Sequence, residues 1–443
     1  MSMVSLPAEP SADDSGPLIP QGRKTVFVLV TGLFFLWGIP NNLNDVLIRQ
    51  FMKSFEISRL QAGLVQSAFY FGYFLMSVPA AVFMRRYGYK KGLLVGLVSY
   101  AIGTFIFLPA ALNKSYVLFL LALFVIASGL GFLETGANPL IAHLGSPNSS
   151  VRRLNLAQAF NPLGSIAGVL IGTVFIFSGI ELSAPQVLQL KARGAYESYL
   201  QAETLRVVTP YLVLGSLVII WGILLLRTPF PEVDNTSENA TGSSGERYSD
   251  LLAYPHFLLA VLTQFCYVGA QVGTWSYFIQ YAQDYTSLPE KTAGFLLTGT
   301  LVGFAVGRFA SSQLMRIFQP ARLMAAFAVT NVILVGIAVV WPGWIGMCSI
   351  FLTSFFMSLM FPTIFALGLR GLGANSKPAS SLIVMAIIGG AVFTPLMGVA
   401  YQLSHSMAIA MVVPLICYLF VALYAGWGCT LPPFVKATGS VDN

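Results

Sequence analysis

LFLLALFVIASGLGFLETGANPLIA, residues 118–142, carries a single charged side chain, Glu134, in an otherwise apolar run. The run exceeds the ~20 apolar residues a helix needs to cross a bilayer. An ionised carboxylate at mid-bilayer costs about 3 kcal/mol on insertion scales. Acids retained there serve proton relay, ion coupling or polar-substrate binding. Glu134 is therefore the first candidate for chemistry, and its helix decides the class of the whole chain.

The rest of the 443 residues reads the same way: 56% hydrophobic, 9% charged, mean hydropathy +0.75. Soluble domains carry about 25% charged residues. The fold class expected is an all-α integral membrane protein. Twelve transmembrane helices are read at 24–51, 59–85, 91–112, 115–143, 154–179, 207–227, 252–283, 291–317, 321–341, 343–371, 378–402 and 406–430. Several exceed the ~20 residues a span needs, so tilt or kinks are expected. No cleavable signal peptide is evident, and the first span is expected to act as an uncleaved insertion signal.

Residues 228–250, TPFPEVDNTSENATGSSGERYSD, form a polar break. They read as a cytoplasmic linker between two six-helix bundles, 24–227 and 251–430, flanked by a disordered tail at 1–23 and a tail at 431–443. AAVFMRRYGYKKG (80–92) and SSQLMRIFQPARL (311–323) echo each other after the second and eighth spans. The echo suggests parallel repeats about an axis along the membrane normal. The loop 180–206 is charged and is expected to hold one short surface helix in a solvated connection.

A net charge of +7 raises the question of nucleic acid. The basic residues instead gather on one side of the twelve-span topology, among them Arg23, Lys24, Arg85, Arg86, Lys90, Lys91, Arg227 and Arg322. That is the positive-inside pattern, which places both termini in the cytoplasm and removes the case for a nucleic-acid partner. Cys266, Cys348, Cys417 and Cys429 lack pair or metal spacing and read as small buried hydrophobes. His143, His256 and His405 are scattered, and no phosphate-binding loop is present, so neither a metal, a cofactor nor ATP is called for.

Asp45 is the second acid placed within a span. It closes the run Asn41-Asn42-Leu43-Asn44-Asp45, and Asn41, Asp45 and Arg49 share one helix face. Two readings stand: an intrahelical Asp45–Arg49 pair capping the outer end, or a carboxylate that loads and releases protons. Glu134 and Asn138 stand one turn apart on the fourth span. A neutral carboxyl can donate a hydrogen bond and an ionised one accepts several, so proton occupancy can alter ligand affinity at Glu134. Asn155, Gln158, Asn161 and Ser165 form a polar stripe on the fifth span, while Gly164, Gly168 and Gly172 read as a close-packing surface for a neighbouring helix. Asn and Gln both donate and accept, as recognition of sugar hydroxyls requires. Trp37, Tyr70, Tyr73, Tyr267, Trp275, Tyr277 and Phe361 are the aromatics available to stack on a sugar ring.

FLWGIPNNLND (35–45), LVQSAFYFGYFL (64–75), GLGFLETGANP (129–139), RLNLAQAFNPLGS (153–165), QFCYVGAQVGTWSY (264–277), FPTIFALG (361–368) and IVMAIIGGAVFTPLMG (383–398) resemble, in order, the fucose:proton symporter family of the major facilitator superfamily. The resemblance implies two six-helix bundles around a cavity that opens alternately to each side. It implies proton coupling at Asp45 and Glu134, cavity amides at Asn42, Gln158 and Asn161, and cavity aromatics at Trp37 and Trp275. Phe361 stands where that family's fucose branch has Tyr, Pro162 where it has a small polar residue, and Arg49 where it has Pro.

The function expected is proton-coupled symport of a monosaccharide, L-fucose or a related sugar, by a monomer in a bacterial inner membrane. Proton-coupling residues are Asp45 and Glu134; sugar-binding residues are Asn42, Glu134, Gln158, Asn161, Trp37, Trp275 and Phe361. The partners are the sugar, the proton and the lipid bilayer. A glucose/galactose-type carrier, a sodium-coupled carrier, a uniporter and a non-transporting sugar sensor are the alternatives. No nucleophile–base or metal constellation points to an enzyme.

Overall fold

In the computed structural model, residues 19, 21–145, 153, 156–230, 248–315, 317–372 and 376–432 are described. Asn155, Arg152 and most of the expected linker lie outside them, as do both expected tails apart from a few inner residues. Among the described residues twelve helical segments are long and apolar enough to cross a membrane. Their flanks explain why: Val98, Ile102, Phe175 and Leu403 stand exposed on outward surfaces. Acyl chains cover such surfaces in a bilayer, where only helices or closed barrels satisfy their own backbone hydrogen bonds.

The first four spans are single helices: α1 Lys24–Phe55, α2 Arg59–Tyr87, α3 Tyr89–Leu112 and α4 Tyr116–His143. Ser58 and Gln61 form a capping box that starts α2, which satisfies otherwise orphaned N–H groups. The fifth span contains α5, Phe160–Ile171, and ends in a π-turn at Gly172–Ile176. The loop expected to hold one helix holds two, α6 Ala184–Ala192 and α7 Tyr196–Leu205. It is also no solvated connection throughout, because Glu203 and Thr204 are buried. The sixth span follows as α8, Val208–Arg227.

In the second half, α9 (Pro255–Ser276) breaks at Tyr277 and continues as α10 (Phe278–Thr286). Then come α11 (Glu290–Leu314), α12 (Pro320–Val340), and the tenth span as α13 (Trp344–Met357) with α14 (Met360–Gly368). The eleventh span is α15 (Ser376–Met385), a 3-10 turn and α16 (Gly389–Ser404). The last comprises α17 (Met407–Ala410) and α18 (Val412–Gly426).

The packing repeats with an offset of six spans. α1 packs on α5 as α9 packs on α16; α3 packs on α8 as α12 packs on α18; α2 packs on α4 as α11 packs on α13. Two six-helix pseudo-repeats result, as the sequence echo suggested. They meet mainly where α2 faces α16 and α5 faces α11. The glycines of α5 act as expected: a Cβ at Gly164 or Gly168 would strike the backbone carbonyls of Phe35 or Ile39 on α1. That close approach fixes the α1 polar face beside the α5 amides.

Cys266, Cys417 and Cys429 are buried, but Cys348 is exposed. It lies on the outer flank of α13, where a small apolar side chain is tolerated by lipid as readily as by a core.

Candidate functional site

A cavity of about 220 Å³ lies on the seam between the two pseudo-repeats. This is below the ~300–1,000 Å³ of drug-sized pockets. Its first-half wall comes from α1, α2, α4 and the fifth span, its second-half wall from α9, α11, α14 and the turn after α15.

Glu134 projects from α4 into this cavity and is half-buried. Among the described residues its carboxylate oxygens have no hydrogen-bond or ion-pair partner. One turn on, Asn138 donates to the Glu134 backbone carbonyl at 3.0 Å. Gln158 donates to the Asn138 side-chain oxygen at 3.2 Å. Asn161 donates to the Phe34 carbonyl at 3.3 Å, and Asn42 lines the same wall. The wall is thus a carboxylate amid these four amides, with spare hydrogen-bonding capacity towards the cavity.

The aromatics frame it. Trp37 packs on Phe34 with centroids 4.3 Å apart. Across the seam Trp275 stands edge-on to Phe304 at 5.2 Å, its indole N–H donating to Ser354 Oγ at 3.0 Å. Phe361 lines the same side. All seven residues expected to bind the sugar therefore border one cavity. Of the other aromatics, Tyr70 and Tyr73 also line it, whereas Tyr267 and Tyr277 are fully buried, with hydroxyls donating to the Met357 and Arg59 carbonyls.

Asp45 lies apart. It is 2% exposed and does not border the cavity. Its carboxylate accepts from Asn42 at 3.1 Å, Gln66 at 2.9 Å and Ser276 at 2.9 Å. The alternative Asp45–Arg49 pair is not formed: Arg49 turns to Glu290, 3.9 Å away on α11.

Arg308 of α11 borders the cavity and was missed from sequence. Its guanidinium lies 4.9 Å from the Phe304 ring centroid, and its Nε is buried without a hydrogen-bond partner. A lone cation in the apolar run LVGFAVGRFA (301–310) carries the same signal as a lone acid. Gln66 and Ser276 were missed as well.

At the end of the bundle away from the first and last helix termini, the halves are bolted together. Arg59 grips Asp284 through two hydrogen bonds at 2.6 and 2.7 Å, and its guanidinium stacks 3.9 Å from the Tyr401 ring centroid. Lys53 reaches Glu203 and Glu290, each at 3.1 Å. Glu181 accepts from Gln283 at 3.0 Å and from the Glu290 backbone N–H. The cavity is sealed on that side.

Residues 25–395 match the model of the Major Facilitator Superfamily. The chain belongs to that superfamily. An L-fucose-proton symporter of Escherichia coli K12 is 42% identical over 404 residues, covering 90% of this chain and 92% of the relative. A glucose/galactose transporter of Brucella abortus is 36% identical over 397 residues, covering 89% and 92%. Among solved superfamily structures, FucP in the outward conformation superposes with a TM-score of 0.69 at 40% identity, covering 92% of this chain and 99% of that one. A bacterial homologue of the lysosomal transporter Spinster matches in fold, with a TM-score of 0.70 at 15% identity and coverage of 92% and 97%.

Proposed function

We propose that this chain is a proton-coupled symporter of a monosaccharide, L-fucose or a related sugar, working by alternating access. The observation that carries the reading is a seam cavity bordered by an unpartnered carboxylate, a set of amides and an aromatic frame, sealed at one end by ion pairs between the halves. The relatives that transport L-fucose with protons support the substrate and the driving ion. Glu134, Asn42, Gln158, Asn161, Trp37, Trp275 and Phe361 hold the sugar, and Arg308 joins them from the second half. Asp45 and Glu134 handle the proton.

The moving bodies are residues 24–227 and 251–430, joined by a linker at 228–250. With both termini cytoplasmic in a bacterial inner membrane, the sealed end faces outward and the cavity addresses the cytoplasm. FucP in its outward conformation supplies the complementary state. The cycle loads proton and sugar from outside, rocks the halves, and releases both inside. A potential of 100 mV supplies about 2.3 kcal/mol per charge moved, enough to concentrate a neutral sugar more than tenfold. Cavity and seal are built within one chain, so a monomer suffices, and the chain acts as a carrier rather than an enzyme.

Proteoliposomes given a panel of labelled sugars, with and without an acid-outside gradient, test this. L-fucose or a close stereochemical relative should accumulate only with the gradient. Accumulation of D-glucose and D-galactose in preference would move the chain to its other set of relatives. Sodium dependence without pH dependence would replace the coupling ion.

A further inference from the structure

We propose that Ser276 is a positioning residue for the coupled proton, and that its hydroxyl stabilises the Asp45 carboxylate only while the outer end is closed. The inference rests on the proton-symport reading above and goes beyond it by naming what ties the proton to the motion.

Asp45 accepts three hydrogen bonds, and they differ in origin. Asn42 and Gln66 belong to α1 and α2, the half that carries Asp45 itself. Ser276 belongs to α9, in the other half, and donates to Asp45 Oδ1 at 2.9 Å while accepting from Gln66 Nε2 at 2.9 Å. Ser276 is the last residue of α9, where the seventh span breaks. Tyr277, at the break, also reaches across the seam, donating to the Arg59 carbonyl at 2.9 Å. Eight residues from Ser276, Asp284 holds the Arg59 guanidinium. The break is thus pinned to the first half at three points, all of which part when the outer end opens.

Donors to a carboxylate favour its charged form. With the halves parted, Asp45 retains the two donors of its own half and meets outside water, where it can take up a proton. Closure shuts out the outside water, which by itself holds the proton on, and brings a third donor, which favours its release. As water from the cavity side reaches the carboxyl beside Asn42, the O–H bond of Asp45 breaks, the proton passes to that water, and the electron pair stays on the carboxylate. Asn42 touches Asp45 Oδ2 and borders the cavity, which marks the exit side. The protonated state is provided for too: Gln66 Oε1 is buried without a partner and can accept the Asp45 O–H once its amide turns.

The surrounding charges are occupied elsewhere or face the cavity. On α1, Arg49 and Lys53 engage Glu290 of α11 and Glu203 of α7. Glu134 of α4 and Arg308 of α11 border the cavity, and Tyr70 of α2 stands within electrostatic range of both acids. Arg59 of α2 is held by Asp284 of α10. None of these forms a hydrogen bond or ion pair with Asp45 among the described residues.

The test uses the full chain in proteoliposomes, comparing wild type, Ser276→Ala and Ser276→Thr. Two rates are read with labelled L-fucose: accumulation driven by an acid-outside gradient, and sugar counterflow, which needs no proton release. Ser276→Ala should lower accumulation about tenfold, the effect of losing one hydrogen bond to a charged group, with counterflow at the wild-type rate. Ser276→Thr, which keeps the hydroxyl, should restore accumulation. Wild-type accumulation in Ser276→Ala overturns the proposal, as does equal loss of both rates or failure of the threonine to rescue. Gradient-independent uptake by the wild type itself would instead strike the symport reading.

Discussion

Glu134 is the residue on which the proposed sugar site turns, and its environment says what substitution should do. Its carboxylate is unpartnered within a wall of amides, so Glu134→Gln preserves shape and removes the charge. Concentrative uptake should vanish while the variant elutes and melts as the wild type does; unchanged accumulation would take Glu134 out of the mechanism. Asn161→Ala removes one neutral hydrogen-bonding group, worth about 0.5–1.5 kcal/mol. The half-saturation concentration for sugar should rise about two- to tenfold, read from uptake kinetics. Asp45→Asn fixes a neutral side chain in the seam, so gradient-driven uptake should fall further than counterflow. Glu134 was legible in the sequence because lipid makes a lone charge costly. Arg308, a lone cation in an apolar run, carries the same mark. Gln66 and Ser276 were not legible: uncharged residues are inexpensive in a span, and their meaning comes from a partner 210 positions away. The helical spacing of Asp45 and Arg49 was real, yet Glu290 from another helix captured the arginine.

At the scale of elements, the twelve spans follow from apolar length alone and were read within a few residues at most ends. What escaped were the interruptions. The seventh span breaks at Tyr277 in the run WSYF, with neither Pro nor Gly to announce it. The break is held by contacts with the other half rather than by local propensity. The loop 180–206 looked solvated because it is charged, but Glu203 is drawn inward by Gln50 and Lys53. The α1–α5 contact was legible, since small residues one turn apart let backbones approach. Gly168→Val should therefore force the helices apart, as its Cβ would meet the Ile39 carbonyl. Overpacking costs about 1–3 kcal/mol, and a backbone neighbour has little room to yield. Thermal melts in detergent should show a lower Tm, and a wild-type Tm would contradict the assigned contact.

The whole molecule is a pair of pseudo-repeats that pack where α2 faces α16 and α5 faces α11 and are tied by a few polar contacts at one end. No single segment contains that arrangement, which is why the sequence implied a moving seam without showing what closes it. Lys53 is the centre of the seal. Lys53→Met would leave Glu290 buried with Arg49 alone, at 3.9 Å, for company. Breaking such a pair costs about 3 kcal/mol or more, which shifts a two-state balance by over a hundredfold. Spin labels at Arg193 and Ser287, on opposite halves of the sealed end, should report longer distances in this variant; an unaltered distribution would remove Lys53 from the seal. Proton movement on addition of sugar reaches the centre of the account. When L-fucose is added to de-energised proteoliposomes with potassium and valinomycin clamping the potential, the account predicts that the outside medium turns alkaline as sugar enters, and that Glu134→Gln abolishes the signal. Entry of sugar into the wild type with no change in outside pH would contradict it.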